Sequence, residues 1–265
     1  MKLIVTTLLL SLSLMASSGV HWQKVEKKFK PIANTSSYSG HKSPKYELIG
    51  LKDNAKVEVD YYLSTLEKKK VEYKSGGVAL PKSGYDTYHA LVANIETPNA
   101  LYSATTYIFK HGRPSPVSPT KLTSLNKSKF EIRPILLPRE HDRYTADQKY
   151  GFRLYFDDKI VANQSISFVT SNGTKIDTKS DKNAELQITM PSDFKDVKNS
   201  RRGNKPANFI LSSSYQKDNK MFHTTLTMPY HINPNNHWQS QLYGLLVMFL
   251  GMIFGLFIYR RVKNG

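Results

Sequence analysis

Five side chains toward the C-terminal end carry the strongest hint of chemistry: Met221, His223, Met228, His231 and His237. Neutral imidazole with thioether is a ligand set that suits copper, and one dominated by imidazole suits nickel or cobalt. The candidate metal ligands are therefore His223, His231 and His237, around a Ni, Co or Cu ion. Their spacing matches no fixed metal motif, so the competing reading keeps them as structural or solvated histidines, with Met228 packed in a strand core. His21 beside Trp22 would chelate through an α-amine only if signal cleavage fell directly before it, and Val20 is too bulky for the usual small-residue rule.

Catalysis finds no comparable support. The chain has no Gly-x-Ser-x-Gly elbow, no His-Glu-x-x-His and no phosphate-cradling glycine loop. Asp157-Asp158 is the one adjacent pair of carboxylates in a promising setting, and it reads as a tight turn in which such side chains accept bonds from backbone amides. A non-enzymatic protein is expected.

Charge points outward. The net charge is +17, from 38 basic and 21 acidic residues. Setting aside Lys2, Arg260, Arg261 and Lys263, which flank the terminal apolar segments, the remainder is about +13. Anionic partners fit this balance: lipid headgroups, cell-surface polysaccharide or the acidic face of a protein. The plain alternative is scattered lysine that solubilises a β-rich surface. Lys68-Lys69-Lys70 and Arg201-Arg202 lack the interleaved aromatics of a base-stacking platform, and no nucleic-acid partner is expected.

The elements that must hold these residues begin with the ends of the chain. Leu242 to Ile258 carries no charge and is followed at once by Arg260, Arg261 and Lys263, with Trp238, Tyr243 and Tyr259 near the two ends. Such a run can span the ~30 Å of a bilayer core. We read 242–259 as a transmembrane helix and 260–265 as a cytoplasmic tail fixed by the positive-inside rule. Within the helix, Gly251 and Gly255 form a small-xxx-small pattern, and Gly244 lies on nearly the same face. That face leaves a homodimer or a partner helix open. Met1-Lys2, the apolar stretch to Met15 and Ala16-Ser17-Ser18 read as a signal peptide over 1–18. With the signal removed, the topology is single-pass in a bacterial cell membrane, with the N-terminal domain periplasmic; with the signal uncut, the chain has two spans and the same topology for its middle. Cysteine is absent, which excludes disulfides and thiolate sites and leaves stability to the core.

Between the ends the pattern is all-β. Residues 19–44 form an extended lead-in, 45–110 a first β unit, 111–128 a Pro-rich stiff linker, 129–230 a second unit and 231–241 a juxtamembrane segment. In the second unit about seven short strands, separated by Asp157-Asp158-Lys159, Asn172-Gly173 and 180–183, argue an immunoglobulin-like sandwich. Phe152, Leu154 and Phe156 alternate with Arg153 and Tyr155, so that strand turns one face to a core.

The stretch from Phe130-Glu131-Ile132-Arg133-Pro134 through 151–163 and on to Thr178-Lys179-Ser180-Asp181-Lys182-Asn183-Ala184 resembles a bacterial family of extracytoplasmic β-sandwich domains of unknown function. That family includes periplasmic components of nickel and cobalt uptake systems. The resemblance covers roughly 129–230, more loosely 45–110, and implies a fold rather than a chemistry. Asn183 stands where such turns usually carry Gly, as the next best residue for positive φ. No metal-ligand motif transfers with it. The expectation is an anchored accessory or binding subunit that assists nickel or cobalt uptake beside a transporter subunit. The alternative is a module without metal that docks an envelope protein or an anionic surface.

Overall fold

The computed structural model describes residues 19–25, 44–51, 55–74, 77–81, 84–138, 143–198, 203–236 and 240–263. Residues 1–18, read from the sequence as a signal peptide, most of the lead-in, His237 and Trp238 lie outside the described residues.

Strands dominate, as the period-2 patterns require. The first part holds β1 (His21–Lys24), β2 (Lys45–Ile49), β3 (Lys56–Tyr62), β4 (Lys68–Val71), β5 (Val78–Ala79), β6 (Tyr85–Glu96) and β7 (Ala100–Lys110). Next come β8 (Arg113–Pro114), a short helix α1 (Pro119–Ser124), β9 (Phe130–Pro134), β10 (Tyr144–Thr145), β11 (Lys149–Phe156) and β12 (Lys159–Ile160). The remainder is β13 (Ser165–Thr170), β14 (Lys175–Lys179), β15 (Glu185–Thr189), β16 (Ala207–Lys217), β17 (Lys220–His231), a 3-10 turn at Pro234–Asn236 and the helix α2 (Ser240–Lys263).

Turn chemistry sets the hairpins where the sequence placed them. Gly173 adopts φ +104° between β13 and β14. Asp157 and Asp158 both take left-handed φ between β11 and β12, as do Asp218 and Asn219 between β16 and β17. One detail differs. In the 180–184 turn the positive φ belongs to Ala184, not Asn183. Asn183 instead donates its backbone N–H to Asp181 Oδ1, an Asx-type bond that hands the left-handed step to the next residue.

The main sheet runs β14-β13-β16-β17-β7-β6-β3-β4, with β10 and β8 attached at its side. Its centre is a parallel pairing: Met221–Thr227 of β17 align with Ala100–Thr106 of β7. The two β units therefore meet as one continuous sheet. The segment 111–128 is not an extended connector, because it contains α1, capped by Ser118 and anchored by the buried Leu122.

A four-stranded sheet, β9-β11-β15 with β12, covers one face of β14-β13-β16-β17. This two-sheet arrangement is the immunoglobulin-like sandwich, and its alternating inward residues meet in one core: Phe152, Leu154, Phe156, Phe168, Phe209, Leu211, Leu226 and Met228. The small β1-β2-β5 sheet covers the opposite face, with β1 over β7 and β17, and closes a second core with Trp22, Tyr61, Leu91, Ile95 and Ala104. Trp22 is wholly buried and donates its indole N–H to Ala104 O at 2.9 Å. Gly77 allows this sheet to close, since a Cβ there would stand 2.2 Å from Tyr46 O. The sheet ends at β4 and β14 carry Lys68, Lys69, Lys70, Lys175 and Lys179, which discourage edge-to-edge pairing.

The helix α2 includes one segment, Leu242–Lys263, long and apolar enough to cross a membrane, and its described side chains are exposed.

Candidate functional site

The small β1-β2-β5 sheet covers only part of its face of the main sheet. Over β14, β13, β16, β17 and the start of β7 a groove of about 860 Å³ remains. Pairing register places two rows of side chains across its floor. In one row Asp177 faces Ser167, Ser167 faces Ser212, Ser212 faces Thr225, and Thr225 faces Ala104. In the other, Lys179 faces Ser165, while Ser214 faces His223 and His223 faces Tyr102. Five strands at ~4.8 Å spacing give a floor roughly 19 Å wide. Small hydroxyl residues at its centre leave room for a ligand to approach the backbone.

The aromatic end is fixed. Tyr102 and His223 stack with centroids 4.7 Å apart and planes 16° from parallel, and Ser214 Oγ lies 2.7 Å from His223 Nδ1. Thr225 donates to Val20 O at 2.6 Å, which brings the residues before β1 over one side of the groove. At the other end Lys175 and Asp177 sit 3.8 Å apart, both well exposed. The Ser167 hydroxyl is buried at the floor without a partner in the protein. Among the described residues lining the groove, Ser214 and His223 form the one hydroxyl–imidazole pair. The arrangement offers donors and acceptors in rows, one ring pair and a rim of mixed charge.

The predicted metal ligands do not converge. His223 and His231 stand eight residues apart in one unbroken strand, about 26 Å at ~3.3 Å per residue. A shared ion needs both nitrogens within about 2 Å of it, so no single ion takes both. His237 lies outside the described residues. Among the described residues no three His, Asp or Glu side chains gather as a metal site would require. His231 occupies the far end of β17, where burial and then the nearby Arg143 guanidinium push its pKa down to about 4. Met228 is a core residue whose sulfur accepts the Tyr107 N–H at 3.2 Å.

Two further polar clusters read as structural. Glu131 is buried between Lys127 and Arg133, at 2.7 and 2.8 Å, and Arg133 also reaches Asp158 at 2.8 Å. This network ties the turn after α1 to β9 and to the β11–β12 turn. Asp193 accepts hydrogen bonds from Thr170, Thr174, Asn172 and the Tyr230 hydroxyl, and so pins the segment 191–198 to the sandwich. Burial works against its carboxylate charge, but these donors hold its pKa below the ordinary value.

Gly244, Gly251 and Gly255 have open space where a Cβ would stand. The sequence matches no protein-family model and no curated protein.

Proposed function

We propose that this chain is a non-catalytic binding module of a bacterial envelope, held at the membrane by α2 with its β domain outside the cytoplasm, and that its groove takes an extended, hydroxyl-rich ligand of the oligosaccharide class. The observation that carries this reading is the pair of cross-strand rows: Ser167, Ser212 and Thr225 in one, Ser214, His223 and Tyr102 in the other. Hydroxyls both donate and accept, which suits a ligand whose own groups do the same. A flat ring pair offers a stacking surface, and the positive net charge favours acidic polymers. Nickel or cobalt handling, which the sequence resemblance implies, is the weaker reading, because it needs a ligand set that His223 and His231 cannot make together.

The test is affinity electrophoresis of the full chain in detergent through gels containing purified envelope polysaccharides. Retardation by an acidic polysaccharide that disappears in Ser212→Trp, a change that fills the groove floor, supports the proposal. Migration unchanged in every polysaccharide sinks it.

A further inference from the structure

The end of the domain from which the chain enters α2 has a chemistry of its own. β17 finishes at His231, and Ile232 and Asn233 remain buried against the domain, so no free linker begins there. Only four peptide steps separate Asn236 at the close of the 3-10 turn from Ser240 at the start of α2. At no more than ~3.6 Å per residue, they span about 14 Å at most. Whatever the angle of the helix, this end of the sandwich stays close to the point where α2 begins.

The loops at that end follow from the strand directions. β13 ends there, β16 starts there, and Tyr144 of β10 aligns with Tyr230. β7 runs parallel to β17, so Arg113 emerges at the same end, with its guanidinium 4.7 Å above the Tyr85 ring. Here Leu136 is 67% exposed and Val197 is 44% exposed, two of the few large apolar side chains outside α2 that face solvent. Arg113, Arg143, Lys195 and Lys198 are exposed at the same end. Among the described residues Asp147 and Asp196 reduce this charge without reversing it, and Asp193 is engaged by hydroxyl donors. At the opposite end the hairpin turns present Asp157, Asp158, Asp181 and Asp218 interleaved with Lys159, Lys182, Lys217 and Lys220, so the charges there are balanced, with Ile160 exposed among them.

We propose that this end docks onto the headgroup layer of the bilayer that α2 enters, with Leu136 and Val197 seated among the headgroups and the cations on anionic lipid. The proposal rests on α2 being a membrane anchor. Cations near an anionic surface are drawn to it, and the tether keeps that surface within reach at all times. Docking would hold the main sheet upright, with the groove to one side of it instead of against the membrane.

The chain has no cysteine, so single labels are clean. Full-length Val197→Cys and Asp218→Cys proteins, each carrying an environment-sensitive fluorophore, are reconstituted in vesicles of phosphatidylcholine alone or with roughly a third phosphatidylglycerol. Quenching by headgroup-nitroxide lipid is read in both. The expected result is several-fold stronger quenching at Val197→Cys than at Asp218→Cys in the anionic vesicles, falling to the Asp218→Cys level in neutral vesicles and in high salt. Equal quenching at the two ends overturns the docking, as does a difference that ignores lipid charge, which would mark a protein contact instead. Alkaline extraction of the same vesicles separates the two ideas: protein that washes off shows that the anchor itself has failed.

Discussion

Lys127 and Glu131 face each other with both side chains wholly out of solvent, ammonium nitrogen 2.7 Å from carboxylate oxygen. Burial lowers the Lys127 pKa and the Glu131 charge opposes that shift, so each charge depends on the other.

Removing one partner is therefore worse than removing both. Glu131→Gln leaves a buried ammonium facing Arg133, and the expected loss is about 3–5 kcal/mol. A Lys127→Met/Glu131→Leu double variant should recover a large part of it, as denaturant melts would show. A double variant no more stable than Glu131→Gln would mean that the pair contributes through Arg133 alone.

Acid should destabilise the fold before carboxylates titrate. His89 has no solvent exposure, and burial and then the neighbouring Lys110 charge lower its pKa from 6.5 to about 4. Its Nδ1 accepts the Ser64 N–H at 3.2 Å, a bond that protonation removes. The unfolded chain binds this proton below pH ~6.5 and the folded one does not until pH ~4, so stability present at neutral pH is lost through that window, on the order of 3 kcal/mol for His89. His231 adds to the same trend. The midpoint of thermal unfolding should fall steadily from pH 7 to pH 4.5, and His89→Asn, which cannot titrate, should flatten the curve.

Metal affinity should not be cooperative between the strand histidines. With His223 and His231 at opposite ends of β17, calorimetric Ni²⁺ titrations of His223→Ala, His231→Ala and the double variant should give effects that add, as expected for sites far apart. A loss in the double variant much larger than the sum would show the two acting on one ion.

In α2, Gly251 and Gly255 stand one turn apart with empty space beside them. Replacing both with Ile should leave α2 inserted, because Ile is strongly apolar, and should lower the yield of detergent crosslinks to a second helix. Undiminished crosslinking would place assembly elsewhere.

Local signals in the sequence were a faithful guide to local structure. Alternation in 149–156, the Asn172-Gly173 hairpin and the apolar run from Leu242 depend only on neighbours, and each appears where those neighbours require it. β1 escaped notice because His21–Lys24 is four residues inside a polar stretch, and its role depends on Trp22 reaching Ala104, 82 residues away. α1 is too short for a helical period to show. The groove was hidden for another reason. Ser167, Ser212 and Thr225 each look like an ordinary polar outward position, and only the register of three strands sets them in a row. The ring chemistry of His223 is legible in the sequence and its place is not, since spacing along one strand says nothing about convergence.

The parallel join of β7 to β17 also sets a timetable. Tyr107 and Met228, which touch across it, are 121 positions apart. At synthesis rates of about 5–20 residues per second, the β7 side of the early sheet waits roughly 6–24 s for its partner strand. Through that interval β7 is an unpaired edge of eleven residues, and none of the lysines that guard β4 and β14 stand on it before Lys110. Chains interrupted after the proline-rich stretch carry that edge permanently, so the fold is complete only when its last strand arrives.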